Sequence, residues 1–267
     1  MSQAEPSIHE LFNLQGKVAL LTGAAGWLGS AMSRALAEAG ATLVVTSREA
    51  DKIEAFAASL PGSGHIGLPF DQGDTDSIPG FVQEVLAKVG KIDILVNNAY
   101  GGTAPSIDSA TAEDFDKAYH TGVTAYFLLA REVAQHLRSR GAAGSIINIS
   151  SMYGVVASYP DAYTGLQVNS PPNYHGLKGG LVHLSRHLAV YWAKDNIRVN
   201  CIAPGPFPTD KTQGRFPEFI DRLETKVPLG RMGRPEELKG LVVLLASDAG
   251  SYITGQNILV DGGWTAW

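Results

Sequence analysis

Cysteine is nearly missing: Cys201 is the one such residue in 267. A lone thiol closes no internal disulfide, so the fold must hold without cross-links, and a reducing cytoplasmic setting is expected. Charge is sparse as well, with 18% charged residues and a net charge of -5. That balance presents no basic surface, so neither nucleic acid nor an anionic membrane is expected as a partner. Long apolar runs are lacking, and none approaches the roughly 20 residues that cross a bilayer. The opening "MSQAEPSIHELFNLQGK" carries acidic residues and no apolar core of a secretory signal, which again points to the cytoplasm. No Ser/Pro/Gly linker, internal repeat or low-complexity tract divides the chain. One domain spanning residues 1–267 is therefore expected, long enough to bury a sizeable core. No metal site is expected.

What the chain does contain is an alternation. Short Val/Ile/Leu-rich runs stand at 17–22, 41–47, 65–70, 92–99, 144–150, 197–204 and 256–263. They lack strict polar alternation, as strands buried on both faces do. Stretches of helical period, such as 30–39 and 80–89, lie between them. The pattern predicts an α/β fold: a single doubly wound Rossmann-type domain of about seven parallel strands with helices on both faces.

The first strand runs into "TGAAGWLG", with Gly23, Gly26 and Gly29 at intervals of three. Glycines directly after a strand and opening a helix are the context of a dinucleotide loop. Unpaired amides and the positive dipole end at a helix N-terminus suit a pyrophosphate. Backbone amides of Gly23, Gly26, Trp27, Leu28 and Gly29 are thus candidate cofactor contacts. Trp27 is unexpected there. With Gly26 before it, Trp27 can take an ordinary helical φ, present its amide and pack its indole at the loop–helix corner. Enzymes that use NAD usually place an acidic residue about 20 residues on, at the end of the second strand. Here "VVTSRE" puts Ser47 and Arg48 in that place. A guanidinium there suits a 2′-phosphate, so NADP is preferred and NAD is the alternative.

"NYHGLK" sets Tyr174 and Lys178 four apart on one helical face. "IINISS" delivers Ser151 to the C-terminal edge of the sheet, where ligands of open α/β sheets bind. A nearby ammonium favours a phenolate, so Tyr174 could exchange a proton with a carbinol or carbonyl oxygen that Ser151 also holds.

In family order these pieces are "TGAAGWLG", Asp71, "NNA" at 97–99, "NISS", "YHGLK", "RVNCIAPGPFPT" and "TGQNILVDGG". The chain resembles the short-chain dehydrogenase/reductase family over nearly its whole length. The resemblance implies a catalytic set of Ser151, Tyr174 and Lys178. It also implies cofactor contacts from Asp71 at the adenine, Asn98 and Ala99, Lys178 at the nicotinamide ribose, and Pro204, Gly205 and Thr209 at the carboxamide. There are four departures. Trp27 stands for the middle glycine, and Tyr100 for the glycine after "NNA". Gly122 stands where a catalytic asparagine belongs, and the spacing from Ser151 to Tyr174 is widened by "VVASYPDAYTGLQVNSPP", residues 155–172. A proton relay through water or a backbone carbonyl is expected at Gly122.

The insert carries Tyr159, Asp161, Tyr163, Gln167 and Asn169. Polar groups and aromatic platforms suit a hydroxyl-rich substrate. Residues 207–227 are the expected substrate lid, bearing Lys211, Gln213 and Arg215. The expected activity is hydride transfer between a nicotinamide cofactor and the secondary alcohol or ketone of a sugar, polyol or sugar acid. A looser likeness to sugar-acid and polyol dehydrogenases agrees. The alternatives are a 3-oxoacyl thioester reductase and a cofactor-binding protein with weak catalysis. Residues 127–137 and 180–193 carry more apolar surface than one core-facing stripe needs, and a homotetramer is expected.

Overall fold

The computed structural model describes residues 5–267. The seven apolar runs become strands β1 (Val18–Thr22), β2 (Thr42–Ser47), β3 (Ile66–Pro69), β4 (Ile94–Asn97), β5 (Gly144–Ile149), β6 (Ile197–Pro204) and β7 (Asn257–Val260). They pair in parallel in the order β3-β2-β1-β4-β5-β6-β7. Strand order reverses between β1 and β4, and this switch point opens a crevice at the strands' C-terminal ends.

The helices are α1 (Ile8–Leu11), α2 (Trp27–Glu38), α3 (Ala50–Ala58), α4 (Ile78–Val89), α5 (Ala112–Tyr119), α6 (Ala125–Ser139), α7 (Pro160–Tyr163), α8 (Pro172–Trp192), α9 (Asp210–Arg215), α10 (Pro217–Glu224) and α11 (Lys239–Ala246). Alternate strand residues feed two cores. Leu21, Val45 and Val96 face Met32 and Leu36 of α2 and Val242 of α11. Leu20, Val44 and Leu95 face Val85 of α4, Val133 of α6 and Leu188 of α8. The doubly wound expectation holds. No helix among the described residues is long and apolar enough to cross a membrane.

Some boundaries differ from the sequence reading. α4 starts at Ile78, because Pro79 sits in its first turn, where the missing N–H is no loss. β4 stops at Asn97. The next two amides, of Asn98 and Ala99, donate to the Thr22 hydroxyl instead, at 3.0 and 3.1 Å. Between α5 and α6 the helix widens over His120–Thr124, where the Ala125 N–H donates to the His120 carbonyl five residues back. Gly122 is buried in this wide turn.

A third apolar cluster lies off the sheet. Met152, Ala162, Phe219, Ile220, Leu223 and Trp264 form its centre, with Tyr159, Tyr163 and Phe216 packed on it. It joins residues 155–172 to α10 and to the C-terminal segment.

Candidate active site

The glycine loop owes its shape to close packing. Gly23 has φ 64, and a Cβ there would lie 2.8 Å from Ala99 Cα. A Cβ on Gly29 would overlap the Gly23 carbonyl. Asn98 braces the loop, its side-chain amide donating to the carbonyls of Thr22 and Gly23 at 3.0 Å each. Gly26 is the N-cap of α2 and makes no side-chain cap, so no protein side chain occupies the first amides of the helix. A cleft of about 1010 Å³ opens over this loop. Gly23, Gly26, Trp27, Leu28, Gly29, Ser47, Arg48, Asp71, Asn98 and Ala99 all line it. The residues present therefore fit a dinucleotide with its pyrophosphate at the α2 N-terminus. Arg48 is exposed and makes no ion pair among the described residues. The Ser47 hydroxyl donates to the Glu49 carbonyl.

Trp27 opens α2 as expected, but its ring is half-buried at the cleft and joins none of the three apolar clusters. Its Nε1 is buried without a hydrogen-bond partner among the described residues, so part of the indole is packed away while part borders the cleft.

Ser151, Tyr174 and Lys178 do come together. Ser151 ends the strand-to-turn passage after β5, and Tyr174 and Lys178 follow one another on α8. Burial pushes the Tyr174 phenol up, and the Ser151 hydroxyl facing it pulls it down. Lys178 donates to the Ile149 carbonyl at 2.7 Å, and burial lowers its ammonium to about 8. Its nitrogen lies 5.4 Å from the Tyr174 ring centroid. A serine, a tyrosine and a lysine so arranged can hold an oxygen atom and move a proton to or from it. Pro204 ends β6, Gly205 and Thr209 follow it, and none of the three lines the cleft with the glycine loop. Gly205 packs on Asp261, where a Cβ would come 2.5 Å from Asp261 Cα. Thr209 caps α9, accepting from the Thr212 N–H at 3.1 Å.

The reading of residues 155–172 as a polar platform needs correction. Tyr159 packs on Trp264 and Tyr163 on Phe219, at 5.3 and 5.1 Å between centroids. Asp161 pairs with Lys226 at 2.7 Å. Three of the five residues singled out there thus fasten the insert to its neighbours. Gln167 and Asn169 are exposed, and Asn169 donates to the Ala104 carbonyl. In 207–227 the structure has two helices, α9 and α10, because Pro217 restarts the chain after Phe216.

Comparison with known proteins decides the family. A family model described as "Enoyl-(Acyl carrier protein) reductase" matches residues 23–265. The chain is 36% identical to a 2-dehydro-3-deoxy-D-gluconate 5-dehydrogenase of Dickeya dadantii, over 96% of this chain and 98% of the relative. It is 36% identical to an NADP-dependent mannitol dehydrogenase of Hypocrea jecorina, over 96% and 95%. A crystal structure of a gluconate 5-dehydrogenase from Burkholderia cenocepacia in complex with NADP and tartrate superposes with a TM-score of 0.87. It is 31% identical, and the match covers 98% of this chain and 100% of that one. The chain belongs to the short-chain dehydrogenase/reductase family.

In this short-chain dehydrogenase/reductase, further residues brace the site. Gln72 lines the cleft and donates to the carbonyls of Ala99 and Thr121, at 2.6 and 2.7 Å. Asn97, Asn148 and Ser185 form a buried chain of hydrogen bonds behind the sheet edge. His175 accepts or donates at Ser170 at 2.8 Å and stacks on Tyr153, whose hydroxyl meets that of Tyr163 at 2.9 Å. Asn97, Asn148 and His175 lie inside "NNA", "NISS" and "YHGLK", whereas Gln72 and Ser185 carry no local motif and meet partners distant in sequence.

Proposed function

We propose that the protein is an NADP-preferring oxidoreductase that interconverts a secondary alcohol and a ketone on a sugar acid or polyol. The observation that carries the reading is the convergence of Ser151, Tyr174 and Lys178 beside a cleft shaped for a dinucleotide. When bound, the nicotinamide accepts or delivers a hydride. Tyr174 moves the accompanying proton at its hydroxyl, Lys178 supports the phenolate with its positive charge, and Ser151 orients the reacting oxygen. Pro204, Gly205 and Thr209 would frame the carboxamide, as the family resemblance implies. Arg48, just after β2 and without an ion pair among the described residues, favours a 2′-phosphate.

The substrate class is supported by relatives that act on sugar acids and polyols and match along nearly the full chain. Residues 155–172 and 207–227 form the cover of the substrate end. Val190 and Tyr191 on α8 are 77% and 64% exposed, which supports a homotetramer joined through α6 and α8. The setting is cytoplasmic. The test is absorbance at the nicotinamide band across a panel of sugar acids, polyols and a 3-oxoacyl thioester, with NADP and NAD. Turnover of a sugar acid or polyol is expected. Turnover of the thioester alone would replace the reading.

A further inference from the structure

Lys178 is 3% exposed, and its ammonium carries three donors. The structure gives it one acceptor, the Ile149 carbonyl. A buried charge is costly unless neighbouring groups stabilise it. Two ring faces do. The Tyr174 centroid lies 5.4 Å from the nitrogen and the Tyr100 centroid 5.5 Å, both within reach of a cation–π attraction. The two rings meet edge to face, 5.4 Å apart at 62°.

Tyr100 is held there by its backbone. Gln72 ties the carbonyl of Ala99, just before it, to the carbonyl of Thr121. The Thr121 hydroxyl ties the carbonyl of Gly101, just after it, at 2.9 Å. Gly122 follows Thr121. A Cβ there would stand 3.4 Å from Tyr100 Cδ2 and 2.9 Å from Leu177 Cδ1. The Tyr100 hydroxyl is buried and has no hydrogen-bond partner. The contact that serves the site is therefore the ring.

We propose that Tyr100 is a positioning residue for the proton-transfer pair: its ring face seats the Lys178 ammonium beside Tyr174. The proposal rests on the reading of Tyr174 and Lys178 given above. Other titratable groups around the pair are the Cys201 thiol on β6, which burial raises to about 11, Tyr126 on α6 and Tyr153 after β5. Tyr100 itself is raised to about 12 by burial, so it stays neutral and contributes no charge.

The test varies only the ring's electron density. Tyr100→Phe is made first, then the same position is filled with mono-, di- and trifluorophenylalanine, which keep nearly the same shape. The Lys178 side-chain NMR signal, assigned by its loss in Lys178→Met, is titrated in cofactor-free protein. In parallel, kcat/KM is measured against pH. Tyr100→Phe, which keeps the ring, is the baseline against which the fluorinated rings are read. Stepwise fluorination should lower the Lys178 midpoint, by on the order of one pH unit in all, and reduce kcat/KM by on the order of tenfold. A midpoint that stays put across the series overturns the proposal, as does a loss in Tyr100→Phe equal to that of the trifluoro ring. The titration needs no turnover. If Tyr174 proved dispensable for activity while the midpoint still moved, the functional reading would fall and the seating of the ammonium would stand.

Discussion

The two ends of the active cleft are built differently. At the cofactor end the backbone does the shaping: Gly23 and Gly29 have no room for a Cβ, and Thr22 and Asn98 bind main-chain groups. At the substrate end side chains do it. Residues 155–172, α10 and Trp264 share an apolar cluster, fastened by Asp161–Lys226 and by Arg222 donating to the Thr164 carbonyl. A backbone-built site tolerates few alternatives and serves one common ligand. A side-chain-built site can be remade residue by residue, which is what a change of substrate needs.

Breaking the centre, where the two ends meet, should cost most. Lys178→Met removes the ammonium and should lower kcat by about a hundredfold or more, within the range of a lost acid–base partner. Wild-type stability should also change with pH. In the fold Lys178 titrates near 8, against an ordinary value of 10.5. The unfolded chain thus binds more protons between those values, so stability rises with pH across that window and the penalty is full below it. Lys178→Met should lack this rise, as urea unfolding at pH 7.5 to 10.5 would read. A wild-type curve of the same slope as the variant's would mean the ammonium is not desolvated.

Trp264→Ala should separate the two ends. Removing a fully buried indole should cost about 3–5 kcal/mol of stability. Substrate KM should rise while cofactor Kd holds. Equal losses on both would show that the ends are one unit. Arg48→Asp should act in reverse, lowering the NADP/NAD ratio of kcat/KM by about tenfold or more and leaving substrate KM alone. An unchanged ratio would make Arg48 a surface residue. Trp27→Gly should do least at the cofactor end, keeping the cofactor Kd within about threefold if only the amide meets the ligand. A larger rise would assign the indole, which lines the cleft, to cofactor binding.

The same contrast explains what the sequence disclosed. β1, β2 and the glycine loop follow local rules, in which apolar runs and glycines directly after a strand mean one thing. The Tyr174–Lys178 spacing is equally local. Tyr159 and Tyr163 were not legible, because an aromatic ring reads alike whether it faces a substrate or packs on Trp264 and Phe219. Gln72 was hidden for a related reason: its two carbonyl partners lie 27 and 49 residues away. Tyr100 stood out only as an oddity, and its meaning came from its ring meeting Lys178.

Tyr174→Phe tests the central claim most directly. It keeps the ring beside Lys178 and removes the hydroxyl that moves the proton. Turnover of the best sugar acid or polyol should fall by about a hundredfold or more, while NADP titration of the same variant gives a Kd close to wild type. A variant that kept more than about a tenth of wild-type kcat, with cofactor binding intact, would contradict the account, because a lost general acid–base group cannot leave that much.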